Sequence, residues 1–190
     1  LVSVPGPAQY SQTITIYPAH TCWVDDDHPD QSNYDDSTLH VRAKPKHGGN
    51  VNIRRSYYYF DLSDLPAGAI VDAEFMIDPT GGDPGDLDLY STSWDGSPIS
   101  WNSQPGAGAF LDSVYYDGGT STLSFDVSDA LAGNPTTVSF MLKFTDENPP
   151  STEHCDHVNP RLEITVKTCA DLEVQKDDSS DPVAAGEQLT

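Results

Sequence analysis

Basic residues are scarce in this sequence: Lys and Arg number 9 against 30 Asp and Glu, which gives a formal net charge of −21. Such a chain repels the phosphates of nucleic acids and the headgroups of anionic lipids. Apolar runs are short as well, and none approaches the roughly 20 residues that a membrane-spanning helix requires. We therefore expect no nucleic-acid partner and no membrane span. The acidic surface either attracts cations or serves only to keep the protein solvated.

Recognisable catalytic motifs are also missing. The sequence contains no Gly-x-Ser-x-Gly, no His-Glu-x-x-His and no phosphate-binding glycine loop. Acidic residues are too numerous to single out a glycosidase pair, whose two carboxyl groups lie about 5 to 9.5 Å apart. We therefore expect that the protein is not an enzyme.

Helical patterns are nearly absent, and the single candidate is a short turn at residues 128–132. The 14 Gly and 15 Pro instead separate short segments in which apolar and polar residues alternate. This pattern predicts two packed β-sheets. The nine predicted strands cover residues 12–17, 38–43, 51–60, 70–78, 86–93, 110–116, 122–127, 136–144 and 161–167. Alternation predicts the core positions Ile14, Ile16, Leu39, Val41, Leu87, Leu89, Leu123, Phe125, Val127, Val138, Phe140, Leu142, Phe144, Leu162, Ile164 and Val166.

Two segments carry a family resemblance. Residues 55–66 read Arg-Ser-Tyr-Tyr-Tyr-Phe-Asp-Leu-Ser-Asp-Leu-Pro, and residues 94–105 contain Ile-Ser-Trp-Asn-Ser-Gln-Pro. With the segments at 69–75, 125–130 and 160–166, this order resembles the DNRLRE-type secreted module, which is related to the disaggregatase repeat of archaeal surface proteins. The resemblance implies an all-β, jelly-roll-like antiparallel β-sandwich with an extracellular or cell-surface location. Such modules occur beside enzymes, adhesins and surface-layer proteins, and some bind carbohydrate.

The chain is expected to divide into this sandwich, residues 1–168, and a C-terminal extension, residues 169–190. The extension resembles the first strand of an Ig-like surface repeat. Because a single strand cannot fold alone, we expect it to pair with a sheet edge, either in another copy of the protein or in its own domain. The apolar residues predicted to mediate this assembly are Leu172, Val174, Val183 and Leu189.

Three cysteines, Cys22, Cys155 and Cys169, leave three disulfide pairings open. The resemblance favours Cys22 with Cys155, because Cys22 follows the first family strand and Cys155 precedes the last. The terminal strands of a jelly roll tend to lie close together. Cys169 would then be a free thiol or pair with another molecule.

Acidic loops make calcium the expected metal, since Ca²⁺ takes six to eight oxygen ligands. The resemblance adds that modules of this kind often hold a structural calcium. We predict the ligands Asp25, Asp27, Asp83 and Asp86, although each is also a suitable turn residue. Residues 153–157, with His20 and Cys22, offer nitrogen and sulfur ligands for zinc. Their spacing matches no zinc signature, so zinc is not predicted.

Exposed aromatic rings are the feature expected of a sugar-binding surface, and Tyr58, Tyr115 and Tyr116 are the candidates. Trp101 and Phe60 lie within the family signature and are expected to belong to the packing framework. The sequence thus favours a non-catalytic extracellular building block of a cell-surface assembly or filament, stabilised by calcium and self-associating by strand addition. The alternative is a carbohydrate-binding module of a larger secreted or surface protein, with polysaccharide as its partner.

Overall fold

A computed structural model describes residues 9–169 of the chain. These residues form antiparallel strands and one short 3₁₀ helix, Ser128–Leu131, at the predicted turn. No helix among them is long and apolar enough to cross a membrane. The strands are β1 (Gln9–Ile16), β2 (His20–Asp25), β3 (Asn33–Tyr34), β4 (Leu39–Pro45), β5 (Val51–Asp61), β6 (Ala69–Asp83), β7 (Gly85–Thr92), β8 (Ala107–Tyr116), β9 (Leu123–Asp126), β10 (Thr137–Phe144) and β11 (Glu153–Cys169).

The strands follow one ladder in the order β8-β7-β10-β5-β4-β11-β6-β9, with β1 on β11 and β2 on β5. Strand β5 joins the two halves of this ladder, because its first residues pair with β4 and its later residues with β10. The two halves fold face to face, and Tyr58 of β5 meets Phe75 of β6 with ring centroids 4.7 Å apart. At the far seam, the Asp112 carboxylate of β8 accepts a hydrogen bond from the Asp126 amide of β9 at 2.9 Å. The predicted all-β sandwich is confirmed, and it is nearly closed.

The space between the halves is the inner core, and most positions predicted from alternation lie in it. Phe75 is its centre, with Phe60, Phe125 and Phe140 at ring distances of 5.8 to 6.2 Å. Ile14, Ile16, Leu123 and Val138 pack against it while remaining partly exposed. Phe60 is fully buried, as expected of a framework residue.

A second apolar cluster covers the outer surface of the half formed by β8, β7, β10, β5 and β2. The loop after β7 folds back over β2, β5 and β10, so that Trp94 and Ile99 bury Tyr57 of β5. Gln104 fixes the end of this loop: its Oε1 accepts the Tyr57 hydroxyl at 2.7 Å, and its Nε2 donates to the Trp101 carbonyl at 2.9 Å. Trp101 is partly buried there, in agreement with a framework role. We call this group the outer cluster: Cys22, Val24, Tyr57, Trp94, Ile99 and Met141.

Strands β2, β3, β6 and β11 differ from the sequence prediction: the two-residue β3 was not predicted, and β6 continues beyond residue 78 to Asp83. β2 was not predicted, because Cys22 and Val24 alternate toward the outer cluster in a segment that reads as an acidic loop. β11 begins at Glu153 rather than near residue 161, and three register shifts interrupt its pairing with β6. Such bulges break the alternation on which strand prediction depends.

Candidate functional site

Three partly or fully exposed aromatic side chains share the outer surface of β7 and β8. On β7, Leu87 and Leu89 point into the inner core, so Asp86, Asp88 and Tyr90 point outward. Residues directly opposite in a ladder share a face, and Tyr90 is paired with Phe110 while Asp86 is paired with Tyr115. Phe110 is 55% exposed and Tyr115 is 63% exposed. We call Tyr90, Phe110 and Tyr115 the aromatic face.

A β-bulge brings these rings to one side. Phe110 and Tyr115 are five positions apart, and a regular strand would place them on opposite faces. The register shift between Leu89 and Tyr90 inserts one extra residue into β8 and restores Phe110 to the outer surface. Its ring then meets that of Tyr90 edge to face, with centroids 5.6 Å apart.

Polar groups surround the aromatic face and fix Tyr90. Asp88 accepts hydrogen bonds from the Tyr90 hydroxyl at 3.1 Å and from Thr145 Oγ1 at 2.6 Å. Burial, together with this contact to the Asp88 carboxylate, raises the pKa of Tyr90. Lys143 Nζ lies 5.6 Å from the centre of the Tyr90 ring and 3.9 Å from Glu147. The surface therefore combines apolar ring faces with carboxylate acceptors and one ammonium donor.

Phe110 also lines a cleft of about 800 Å³ beside this face. The cleft opens where the chain leaves the sheet after Thr92, while β10 continues along β5. Trp94 and Tyr59 contribute aromatic side chains to its lining, and Asp129 contributes a carboxylate. Hydroxyl groups supply much of the polar lining: Ser91, Thr92, Ser93, Thr137 and Ser139. The aromatic face and the cleft together form one surface, joined at Phe110, that suits a ligand with apolar faces and many hydroxyl groups.

Of the predicted sugar-binding tyrosines, only Tyr115 is exposed, and the expectation for Tyr58 and Tyr116 is wrong. Tyr58 is fully buried, with its hydroxyl 2.6 Å from His157 Nε2, and burial raises its pKa well above the ordinary value. Tyr116 is 1% exposed, and burial raises its pKa to about 12. Neither ring presents a face to a ligand.

The predicted disulfide between Cys22 and Cys155 is also wrong, since both residues are free thiols. Terminal strands do lie together, because β1 pairs with β11 along its whole length. Cys22, however, is on β2 and faces the outer cluster, while Cys155 faces the inner core. Burial raises the pKa of Cys22, and it raises that of Cys155 to about 12. The side chain of Cys169 lies outside the described part of the structure.

The predicted calcium ligands do not converge. Asp25, Asp26 and Asp27 form an acidic turn after β2, whereas Asp83 and Asp86 are exposed at the corner between β6 and β7. Protein groups already occupy the Asp25 carboxylate: Asn52 Nδ2 at 2.6 Å, Arg54 Nε at 3.0 Å and the Asp27 amide at 3.0 Å. Burial acts to raise the pKa of Asp25, but these contacts hold it below the usual range. Calcium binding remains a prediction.

The nitrogen and sulfur ligands considered for zinc are scattered. His20 lies 3.2 Å from Asp35, Cys22 is in the outer cluster, and His157 is buried in contact with Tyr58. His154 and Asp156 instead meet His40 of β4, which sequence reasoning did not include. The outward position of His40 follows from its place between the core residues Leu39 and Val41, so alternation supplies the missing signal.

Tyr90 and Phe110 were missed for different reasons. Tyr90 follows the regular outward positions of β7, so alternation was sufficient to find it. Phe110 was beyond this reasoning, because only the bulge decides its side.

A nearly closed β-sandwich with an exposed aromatic face and an adjoining hydroxyl-lined cleft has the features of a ligand-binding module. The sequence model of carbohydrate-binding module family 96 matches residues 12–165. The chain therefore belongs to carbohydrate-binding module family 96. No curated protein matches it. The predicted resemblance is confirmed at the level of a carbohydrate-binding β-sandwich module, while its DNRLRE-type and Ig-like details remain predictions.

Proposed function

We propose that this protein is a carbohydrate-binding module of a secreted or surface protein, and that the aromatic face and the adjoining cleft hold the sugar chain. The observation that carries the proposal is the alignment of Tyr90, Phe110 and Tyr115 on one outer surface by the bulge in β8. A contiguous patch of exposed rings is unfavourable in water, and such patches often mark binding surfaces, which supports the proposal.

The length of the surface suits a chain of sugars better than a single ring. Phe110 and Tyr115 are separated by five positions of a strand that rises about 3.3 Å per residue. The Cα atoms of these two residues are thus about 13 to 16 Å apart along the strand, and Tyr90 lies opposite Phe110. A polysaccharide would contact both ends at once, which strengthens binding relative to either contact alone.

The charges around the surface favour a neutral polysaccharide. Beside the aromatic face, Asp86, Asp88 and Glu147 lie near Lys143 and near Arg55, which pairs with Glu147 at 2.7 Å. Asp95 and Asp129 line the cleft, so carboxylates remain in excess over the whole surface. The exposed carboxylates among them are suited to accept hydrogen bonds from sugar hydroxyls, and the excess negative charge repels a polyanionic chain.

Affinity electrophoresis in gels that contain soluble polysaccharides tests the proposal. We expect neutral β- or α-glucans, mannans or xylans to retard the protein, and an anionic uronate polymer to leave its mobility unchanged. Phe110→Ala and Tyr115→Ala should each weaken retardation by about 10-fold, as expected for loss of one aromatic contact. Tyr17→Ala is the matched control, because Tyr17 is 64% exposed and lies outside this surface.

Retention that survives the double variant Phe110→Ala with Tyr115→Ala would place the sugar elsewhere on the molecule. Preferential binding of the uronate polymer would contradict the inferred ligand charge, even if the surface is correct. Failure of a broad panel of neutral and anionic polysaccharides to bind would reject the carbohydrate function itself.

Self-assembly through strand addition remains a prediction of the sequence. It depends on Leu172, Val174, Val183 and Leu189, which lie outside the described residues, and no contact described above favours it. The boundary between residues 1–168 and 169–190 likewise remains a prediction.

A further inference from the structure

The outer surface of β4, β11 and β6 carries a compact group of metal-ligand side chains. His40, His154 and Asp156 each offer one ligand atom, and these atoms lie within 4.8 Å of one another. Asp156 Oδ1 is 2.6 Å from His154 Nε2 and is also in hydrogen-bond contact with His40 Nδ1. We call these three residues the histidine cluster. We propose that it binds a divalent transition-metal ion of the Zn²⁺ type.

The sheet register places the three side chains together. His154 and Asp156 are two positions apart on β11, so they share one face, and Cys155 between them points into the inner core. His40 is directly opposite Asp156 in the ladder between β4 and β11. Side chains of such pairs have Cβ atoms about 5 Å apart, which allows two of them to reach one ion with bonds of about 2.0 to 2.2 Å.

The neighbouring strands leave room for an ion and for further ligands. Gly81 of β6 lies opposite Asp156 and has no side chain that could cover the cluster, while Thr80 beside it donates to the Asp156 carbonyl at 3.2 Å. Asp83 lies opposite His154 on the same face and is exposed, which adds an adjacent carboxylate. Arg42 is the nearest cation in the ladder, but its Nη1 donates to Asn52 on β5, on the side of β4 away from β11.

The ligand set selects the class of ion. Imidazole nitrogens suit zinc, copper, nickel and iron, whereas calcium and magnesium take oxygen ligands almost exclusively. Two nitrogens and one carboxylate oxygen fill three positions of a tetrahedral or five-coordinate site, and the open side at Gly81 leaves the remainder for water or for a ligand oxygen. Trp23 packs edge-on against the His40 ring, with centroids 4.7 Å apart, and thereby restrains its orientation.

Titration of the untagged, chelator-treated protein with Zn²⁺ by calorimetry tests the proposal. We expect one ion per chain, and at least about 100-fold weaker binding in His40→Ala and in His154→Ala. His20→Ala is the matched control: His20 also lies beside a carboxylate, at 3.2 Å from Asp35, but it belongs to no group of three such ligands among the described residues. The control should bind Zn²⁺ as tightly as the wild type.

Two measurements on the unaltered protein keep the test independent of variant folding. Zn²⁺ should shift the imidazole NMR signals of His40 and His154 and leave that of His20 in place. Co²⁺ should give visible d–d bands without sulfur-to-cobalt charge transfer. Absence of stoichiometric binding, equal loss in His20→Ala, or a thiolate charge-transfer band would overturn the proposal.

Discussion

The outer surfaces of the two halves of the sandwich are built in opposite ways. Outside β2, β5 and β10, the loop that carries Trp94 and Ile99 adds the outer cluster as a second apolar layer. On the other outer surface, which β4, β11 and β6 form with the adjoining ends of β2 and β5, imidazole, guanidinium and carboxylate groups satisfy one another through ion pairs and hydrogen bonds. One surface thus depends on burial and the other on electrostatics, and the two should respond differently to mutation and to pH.

Among the substitutions proposed here, truncation of Trp94 in the outer cluster should destabilise the protein most. Trp94 is only 4% exposed, and its Nε1 donates to the Ser97 carbonyl at 2.7 Å. We expect Trp94→Ala to lower the free energy of unfolding by about 3 to 4 kcal/mol, measured by urea denaturation. Trp23→Ala, on a partly exposed tryptophan beside the polar surface, is the comparison and should cost clearly less. Equal losses would mean that the two surfaces do not differ as described.

Asp25→Asn probes the polar surface. Loss of the carboxylate that Asn52, Arg54 and the Asp27 amide share should cost about 2 kcal/mol. Because the pKa of Asp25 is lowered in the folded protein, its contribution is present above the unfolded value near 3.9 and is lost as the pH falls through the folded one. The variant should therefore lose less stability than the wild type below about pH 4.

Addition of calcium to the same two proteins separates the roles open to Asp25. If the carboxylate serves only the contacts described here, calcium should leave the stability difference unchanged. A calcium-dependent rise in melting temperature of the wild type alone would establish the acidic turn as a calcium site.

Tyr57→Phe tests how strongly the end of the loop after β7 is held against β5. The hydroxyl donates to Gln104 Oε1 at 2.7 Å and approaches the Pro105 carbonyl at 3.1 Å. Its removal should cost about 1 kcal/mol, again by urea denaturation, since the ring remains buried. Ser139→Ala is the control. The Ser139 hydroxyl makes a comparable hydrogen bond in the same half, to the Thr92 carbonyl at 2.7 Å. A loss of several kcal/mol in Tyr57→Phe would show that this contact organises the whole loop.

Thiol titration compares the outer cluster with the inner core. Cys22 lies beneath the loop and Cys155 in the inner core, and burial raises the pKa of both. Both should react with a thiol reagent very slowly in the folded protein, with Cys22 becoming reactive first in Trp94→Ala. Under denaturing, non-reducing conditions at least two thiols per chain should appear. A count of one would restore the disulfide between Cys22 and Cys155.

Alternation in the sequence predicts the core positions correctly in strands that have one polar face. Positions such as Leu87 and Leu89, or Leu162 and Ile164, follow regular alternation and lie in the inner core. It was insufficient for β5, in which Tyr57 and Tyr58 are adjacent and both fully buried, because the outer cluster covers one side and the inner core the other. Alternation assigns one buried face to a strand and cannot detect a second.

The candidate site shows the same division. Tyr90 and His40 follow from alternation within their strands, but the bulge that turns Phe110 outward has no signal in the residues around it. The contact between His40 and Asp156 depends on the pairing of β4 with β11, which brings together residues 116 positions apart in the sequence. Local patterns place a residue on a face, whereas long-range register decides which residues share a site.

The pairing of β1 with β11 has a mechanical consequence. Gln9 and Cys169 are register partners, so the chain enters and leaves the sandwich at neighbouring points on the same end of one antiparallel pair. The hydrogen bonds of such a pair run perpendicular to the strands. Tension applied through Gln9 and Cys169 would load these hydrogen bonds one after another, which is the unzipping geometry, and would separate β1 from β11. The module would therefore yield at low force, whereas a pair loaded in shear would resist with all its bonds together.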